Sequence, residues 1–232
     1  MNMEYLCVAL LLVYVAYTVR LISILPFFRS YTNGSDVLES EPIERKGPLH
    51  VFLFLGSGGH TGEMLRLVDN YKEMLLAKGN TVYVGYSDDK SRSQFIRQVT
   101  IENRACRFEY YQFKKAREVN AGLLTSLASV LQTIIKSLAI IFKVSRAMRG
   151  KPRLVLLNGP GTCCVIAAWF KVIEWLDLFQ PCSNIVYVES LARITSLSLT
   201  GRILYWIADL FIVQWEELCL THPRARYYGL LV

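Results

Sequence analysis

The chain has 232 residues, 53% of them hydrophobic, and a formal net charge of +7. That length holds one large domain or two small ones, and that apolar content is high for a soluble domain and points to membrane contact. The positive charge suits anionic lipid or a phosphorylated substrate, while the lack of a basic helix, zinc spacing or RNA-binding signature argues against nucleic acid.

Tyr5 to Val19 is an apolar run closed by Arg20 and continued by Leu21 to Phe28. If Arg20 snorkels, about 20 residues suffice to cross a bilayer. The leader Met-Asn-Met-Glu lacks the positive charge of a signal peptide, which is the alternative reading, and Arg20 and Arg29 follow the run. The positive-inside rule then puts the bulk of the chain in the cytosol. Residues 1–29 are therefore expected to form a transmembrane anchor. Residues 30–48, polar and broken by Gly34, Pro42, Gly47 and Pro48, are expected to be a linker, and residues 49–232 a globular domain. On this topology the acceptor sequence Asn33-Gly34-Ser35 stays in the cytosol, unglycosylated.

His50 to Leu55 is dense in Val, Phe and Leu and reads as a buried parallel strand. Gly56-Ser57-Gly58-Gly59-His60-Thr61-Gly62 follows, and then Met64, Leu65, Leu67, Val68 and Tyr71 recur at helical spacing. A strand, a glycine loop and a helix opening near Thr61 with unpaired N–H groups form an anion site, usually for phosphate. The dinucleotide spacing G-x-G-x-x-G fails at Thr61, and Gly62-Glu63 does not complete a nucleoside-triphosphate loop. The alternative is a tight turn without ligand.

Further strands are expected at Thr81–Tyr86, Arg107–Phe113, Arg153–Leu157, Asn184–Val188 and Asp209–Gln214. Helices are expected at Ser91–Val99, Gly122–Arg149, Thr162–Leu178 and Arg202–Ala208, with a charged loop at Lys114–Asn120 and a short helix or loop at Trp215–His222. The helix after Gly122 has a wide apolar face rimmed by Lys136, Lys143, Arg146 and Arg149, which suits either a core crossover or a membrane surface. Alternating strands and helices give a doubly wound α/β domain with a mainly parallel sheet. The six cysteines form no C-x-x-C pair and no histidine cluster joins them, so reduced thiols are expected rather than a disulfide scaffold or a metal site.

In such sheets ligands bind beyond the carboxyl ends of the strands. The first, fourth and fifth strands end there in the glycine loop, in Asn158-Gly159-Pro160-Gly161 and in Glu189. His60 sits at the positive end of a helix, which favours a neutral imidazole able to take a proton from a hydroxyl or bond a phosphate. Its alternative is a capping or packing histidine. Glu189 is the second candidate base, against an exposed strand-end carboxylate. Asn158 to Gly161 could position a ligand through backbone N–H groups, or be only a turn. Arg193, Lys114 and Arg117 could hold phosphate, or be solvated loop cations. The apolar end of the chain, Gly229-Leu230-Leu231-Val232, suits burial in a core or a partner.

GSGGHTGEM after the first strand, NGPGT after the fourth and YVESLARITSLSLTGR after the fifth, behind an N-terminal anchor, resemble a known family. It is the family of membrane-anchored subunits of the eukaryotic UDP-N-acetylglucosamine transferase of asparagine-linked glycosylation. The glycine loop is also similar to that of the bacterial transferase that makes the lipid-linked peptidoglycan precursor. The resemblance implies one Rossmann-like half of a two-domain GT-B transferase, acting at the endoplasmic reticulum membrane or nuclear envelope. It implies inverting addition of the second sugar to dolichol-diphosphate-N-acetylglucosamine, with no cofactor and no metal. The UDP-N-acetylglucosamine site would lie on a separate soluble catalytic subunit, so that this chain alone is inactive. His60 and Glu189 would be catalytic. Ser57, Gly58, Gly59, Thr61, Asn158, Gly159, Pro160 and Gly161 would meet the acceptor diphosphate, and Gly229, Leu230, Leu231 and Val232 would dock the partner.

Two other classes fit less well. One is a membrane-anchored dinucleotide-binding oxidoreductase, with Asp88 after the second strand in place of the ribose-binding acid. The other is a membrane scaffold with a ligandless α/β domain.

Overall fold

The computed structural model describes residues 3–28, 47–113, 123–179 and 181–232, with side chains from residue 134 onward in the long helix that starts at Leu123. The expected linker, up to residue 46, and the charged loop Lys114–Asn120 lie outside the described residues.

The strands are β1 (His50–Leu55), β2 (Thr81–Tyr86), β3 (Arg107–Gln112), β4 (Arg153–Asn158), β5 (Asn184–Val188), β6 (Leu210–Val213) and β7 (Ala225–Tyr227). They form one sheet of order β3-β2-β1-β4-β5-β6-β7, and every pairing is parallel. β1 and β2 are buried along their whole length, which is why they read as continuous apolar runs rather than alternating ones. Successive side chains of β1 nonetheless face opposite layers. Phe52 and Phe54 enter the core formed with α5 (Leu123–Ala147) and α6 (Thr162–Leu176). Val51, Leu53 and Leu55 enter the core under α2 (Gly59–Asn70) and α4 (Asp89–Phe95).

Strand order reverses between β1 and β4. The loops that leave these two strands therefore diverge to opposite sides of one crevice at the carboxyl edge of the sheet. This is the doubly wound, parallel α/β arrangement that the alternating strands and helices predict. A short helix α3 (Lys72–Leu75), α7 (Leu199–Leu204) and α8 (Glu217–Thr221) complete the described domain.

The N-terminal α1 (Met3–Ile24) is long and apolar enough to cross a membrane. Its end is bonded to the domain. Arg20 does not simply reach for solvent: its Nε donates to Glu174 O at 3.0 Å and its Nη2 to Asp177 O at 3.1 Å. These are carbonyls at the end of α6, which lack helical partners and carry the negative end of the helix dipole. Trp175 Nε1 donates to Tyr17 O at 3.1 Å, and the two rings meet edge to face. The buried Lys171 donates to Ile24 O at 3.2 Å and pairs with Asp209 at 2.8 Å. Phe27 in the following turn packs on Trp206.

Local chemistry moves several boundaries from their expected places. Asp88 Oδ1 accepts from Ser91 N at 2.9 Å, so α4 begins at Asp89 and not at Ser91; it relaxes into a π turn over Ile96–Thr100. Ser198 Oγ accepts from Gly201 N, so α7 begins at Leu199. α5 is a crossover helix with Ile141, Val144 and Met148 at its core side, yet Ile135, Leu138 and Phe142 on its outer side remain exposed.

Lys171→Ala would remove the cation beside the carboxylate of Asp209, which is only 11% exposed and would keep the Ile185 N–H donor at 2.9 Å. We expect a loss of about 3–5 kcal/mol in urea unfolding, whereas substituting the exposed Lys72, paired with Asp69 on the surface, costs under about 1 kcal/mol.

Candidate functional site

The glycine loop turns through Gly58, whose φ of 62° and ψ of −125° suit a residue without a side chain. A Cβ at Gly58 or Gly59 would meet nothing within 4 Å, so this backbone faces open space. Ser57 is exposed beside it. Ser57, Gly58 and Thr61 line a cleft of about 530 Å³ together with Asp88, Lys90, Ser91 and Gln94. Lys90 supplies a cation to that cleft. Thr61 itself is buried, and its hydroxyl donates to Gly56 O at 2.6 Å. It fixes the loop from inside.

The loop after β4 closes on the first loop. A Cβ on Gly56 would lie 2.9 Å from Pro160 Cδ and 2.9 Å from His60 Cβ. Gly159 has φ 96°, and a Cβ there would fall onto the imidazole, 2.6 Å from Nδ1. His60 therefore lies against the backbone of Gly159. Asn158 is fully buried and donates through Nδ2 to Val188 O at 3.1 Å, tying β4 to β5 behind the site. Gly161 is exposed at the head of α6.

Glu63, one turn after His60, is the residue that sequence reasoning passed over. Its Oε2 lies 3.3 Å from His60 Nδ1. Its Oε1 accepts from Ser190 Oγ at 2.7 Å and from Leu191 N at 3.1 Å. Burial pushes the Glu63 carboxyl up, but bonds from His60, Ser190 and Asn158 outweigh it, and the net shift is downward. Glu63 thus joins the ends of β1, β4 and β5. The spacing His-x-x-Glu on a helix was the available signal, since residues three apart are neighbours.

Glu189 points elsewhere. It is 1% exposed, and its oxygens accept from Ser190 N, Ser198 N and Ser198 Oγ at 3.0–3.1 Å, with Tyr187 Oη at 3.3 Å. Gly201 packs directly on its carboxylate, where any side chain would collide. In this arrangement Glu189 organises the segment from Ser190 to Ser198 and does not open onto the crevice beside His60. Arg193 is exposed on that same segment, while Lys114 and Arg117 lie outside the described residues. Asp88 is engaged as the cap of α4, which removes the feature that favoured a dinucleotide site.

The C-terminal segment is bound to its own domain. Leu231 N donates to Gln214 Oε1 at 2.9 Å, and Asn70 Nδ2 donates to Leu231 O at 2.9 Å. Leu231 and Val232 pack on the α2 side of the sheet, Gly229 turns at φ 84°, and Leu230 is 59% exposed. An apolar recess of about 320 Å³ lies alongside, walled by Tyr71, Met74, Val186, Leu210, Tyr228 and Leu231.

Residues 51–231 match the family described as "Oligosaccharide biosynthesis protein Alg14 like". The "UDP-N-acetylglucosamine transferase subunit ALG14" of Saccharomyces cerevisiae is 48% identical over all of both chains. The subunit of that name from Rattus norvegicus is 34% identical over 84% of this chain and 89% of its own. Among solved structures, MurG of Acinetobacter baumannii superposes with a TM-score of 0.50 at 10% identity, over 80% of this chain and 44% of that one.

Gly159→Ala must both strain a positive φ and displace the imidazole. We expect a stability loss of about 1–3 kcal/mol in urea unfolding and a moved His60 ring resonance. A second expectation concerns pH. The folded Glu63 carboxyl titrates below its ordinary 4.5, so its contribution to stability is present above 4.5 and lost as pH falls through the folded value. The stability gap between wild type and Glu63→Gln should narrow as pH falls below about 4.5.

Proposed function

The chain belongs to the Alg14 family of oligosaccharide biosynthesis proteins, and we propose that it is the membrane-held, acceptor-binding half of a two-subunit UDP-N-acetylglucosamine transferase. Its relatives are subunits of a UDP-N-acetylglucosamine transferase, and so is this chain. In our reading the acceptor is a dolichol-diphosphate-linked N-acetylglucosamine, and the donor site lies on a soluble catalytic partner. The observation that carries the reading is the meeting of two glycine loops over His60 at the switch point of a single Rossmann-like half. That half covers the full length of the yeast relative but under half of the MurG chain. A GT-B cleft needs a second wall, which another chain would bring.

In this reading the open amides of Gly58 and Gly59 at the head of α2, with Ser57 and Lys90, hold the acceptor diphosphate. Asn158 to Gly161 form the opposite lip. His60 takes the proton from the sugar 4-hydroxyl as it attacks the anomeric carbon of the donor and UDP leaves from the other face. Glu189 serves indirectly, by holding the Ser190–Ser198 segment. The carboxylates and loops of the site require neither a metal nor a cofactor for these roles. α1 provides the anchor at the endoplasmic reticulum or nuclear envelope, with the domain in the cytosol. Leu230, beside the apolar recess, offers the partner an apolar landing point near the end of the chain.

Purified full-length chain should transfer no sugar from UDP-N-acetylglucosamine to a lipid-diphosphate-linked N-acetylglucosamine, and should do so once the co-expressed partner is added. Robust transfer by the lone chain sinks the divided-enzyme reading. His60→Ala in the complex should lower kcat by about 10²-fold or more. Removal of Gly229–Val232 should abolish co-purification of the partner while membrane sedimentation persists; unchanged co-purification removes the docking role.

A further inference from the structure

An imidazole acts as a base through one nitrogen only if the other carries the proton. His60 Nδ1 faces Glu63 Oε2 at 3.3 Å, and among the described residues Nε2 makes no hydrogen bond. The ring is about a third exposed and lies against Gly159 on one side. Its freedom to turn is thus limited by backbone and by one carboxylate.

Glu63 is held from its other end. Leu191 N–H donates to Oε1, and the Leu191 carbonyl is in turn held by Trp215 Nε1 at 2.8 Å. Ser190 Oγ donates to the same oxygen, and it receives Ala192 N at 3.4 Å. The backbone donor at Leu191 cannot invert, so whatever atom stands at Oε1 must be an acceptor. The remaining oxygen, Oε2, is then aimed at His60.

Resting on the assignment of His60 as base, we propose that Glu63 is its positioning residue: it fixes the neutral ring as the Nδ1–H form and leaves Nε2 as the proton acceptor. The hydroxyl proton of the acceptor sugar moves to Nε2 as the new bond to the anomeric carbon forms and the bond to the UDP oxygen breaks. The resulting imidazolium keeps its Nδ1–H on the Glu63 carboxylate until Nε2 returns its proton to water.

A glutamine at this position has a particular consequence. Its carbonyl oxygen must occupy the Oε1 site, to accept from Leu191 and Ser190. Its NH2 then stands at the Oε2 site and donates to Nδ1, which forces the proton onto Nε2 and blocks the base. Glu63→Gln should therefore be no better than Glu63→Ala, although it is the closer in shape. A merely structural Glu63 gives the reverse order.

The test uses detergent-solubilised full-length chain labelled with 15N-histidine. The chain has three histidines, and the His60→Gln variant assigns the His60 signals. With the ring neutral, the wild type should show the Nδ1–H form and Glu63→Gln the Nε2–H form. In the complex with its catalytic partner, kcat should fall about 10²-fold or more in Glu63→Gln, with KM for the lipid acceptor little changed. An Nε2–H ring in the wild type overturns the proposal without recourse to any variant. So does an unmoved tautomer in a folded Glu63→Gln, or transfer by Glu63→Gln well above that of Glu63→Ala. Normal transfer by His60→Gln alongside the expected tautomer switch overturns the base assignment instead, and leaves the Glu63–His60 pairing standing.

Discussion

The site depends on a close approach that tolerates no side chain. Gly159 presents its backbone to the His60 ring from a positive φ, and Gly56 passes His60 and Pro160 with no room for a methyl group. Two loops from strands that are neighbours in space but far apart in sequence are thereby locked face to face. The parallel sheet makes this possible, because reversal of strand order between β1 and β4 leaves a gap that loops can fill only from both sides. Everything polar near the gap follows from that contact: Asn158 is pinned behind it, Glu63 bridges it to the end of β5, and Thr61 braces the loop from within.

Much of this was legible in the residues. Fully buried strands announce themselves as apolar runs, and glycines after a strand announce a turn that backbone or ligand approaches closely. His60 and Asn158 to Gly161 could be assigned to one edge from strand ends alone. What stayed hidden was orientation. Glu189 ends an apolar strand just as a cleft carboxylate would, and only the space vacated by Gly201 shows it turned inward to Ser198. Glu63 carried the right spacing from His60, but its other partners lie more than a hundred positions later in the chain. β7 has three residues, below the length at which alternation can be read. Arg20 looked like a solvated end of an apolar run because its acceptors, the carbonyls of Glu174 and Asp177, come from a helix that periodicity cannot place beside it.

The electrostatics of the domain divide into two groups with different roles. At the carboxyl edge, Glu63 and Glu189 are carboxylates saturated by N–H and O–H donors, which holds loops in place without a buried counter-cation. Under the end of α1, the scheme is ionic. Lys171 is paired with Asp209 and also bonds a backbone carbonyl of α1, and Arg20 meets the negative end of α6. Loop precision at one end and attachment at the other are thus handled by different chemistry, in keeping with the larger cost of burying unpaired charge.

α6 touches both regions. It begins at Thr162, directly after the lip formed by Gly159 to Gly161, and its last turn receives Arg20 and Trp175 bonds to α1. Its 15 residues amount to a rod of about 22 Å between the apolar N-terminal helix and the crevice. Such a rod acts as a ruler. It sets the distance of the cleft from the end of α1 and the compass bearing of its mouth together, because each residue in a helix adds about 1.5 Å of height and about 100° of rotation. A change in its length cannot adjust one without disturbing the other.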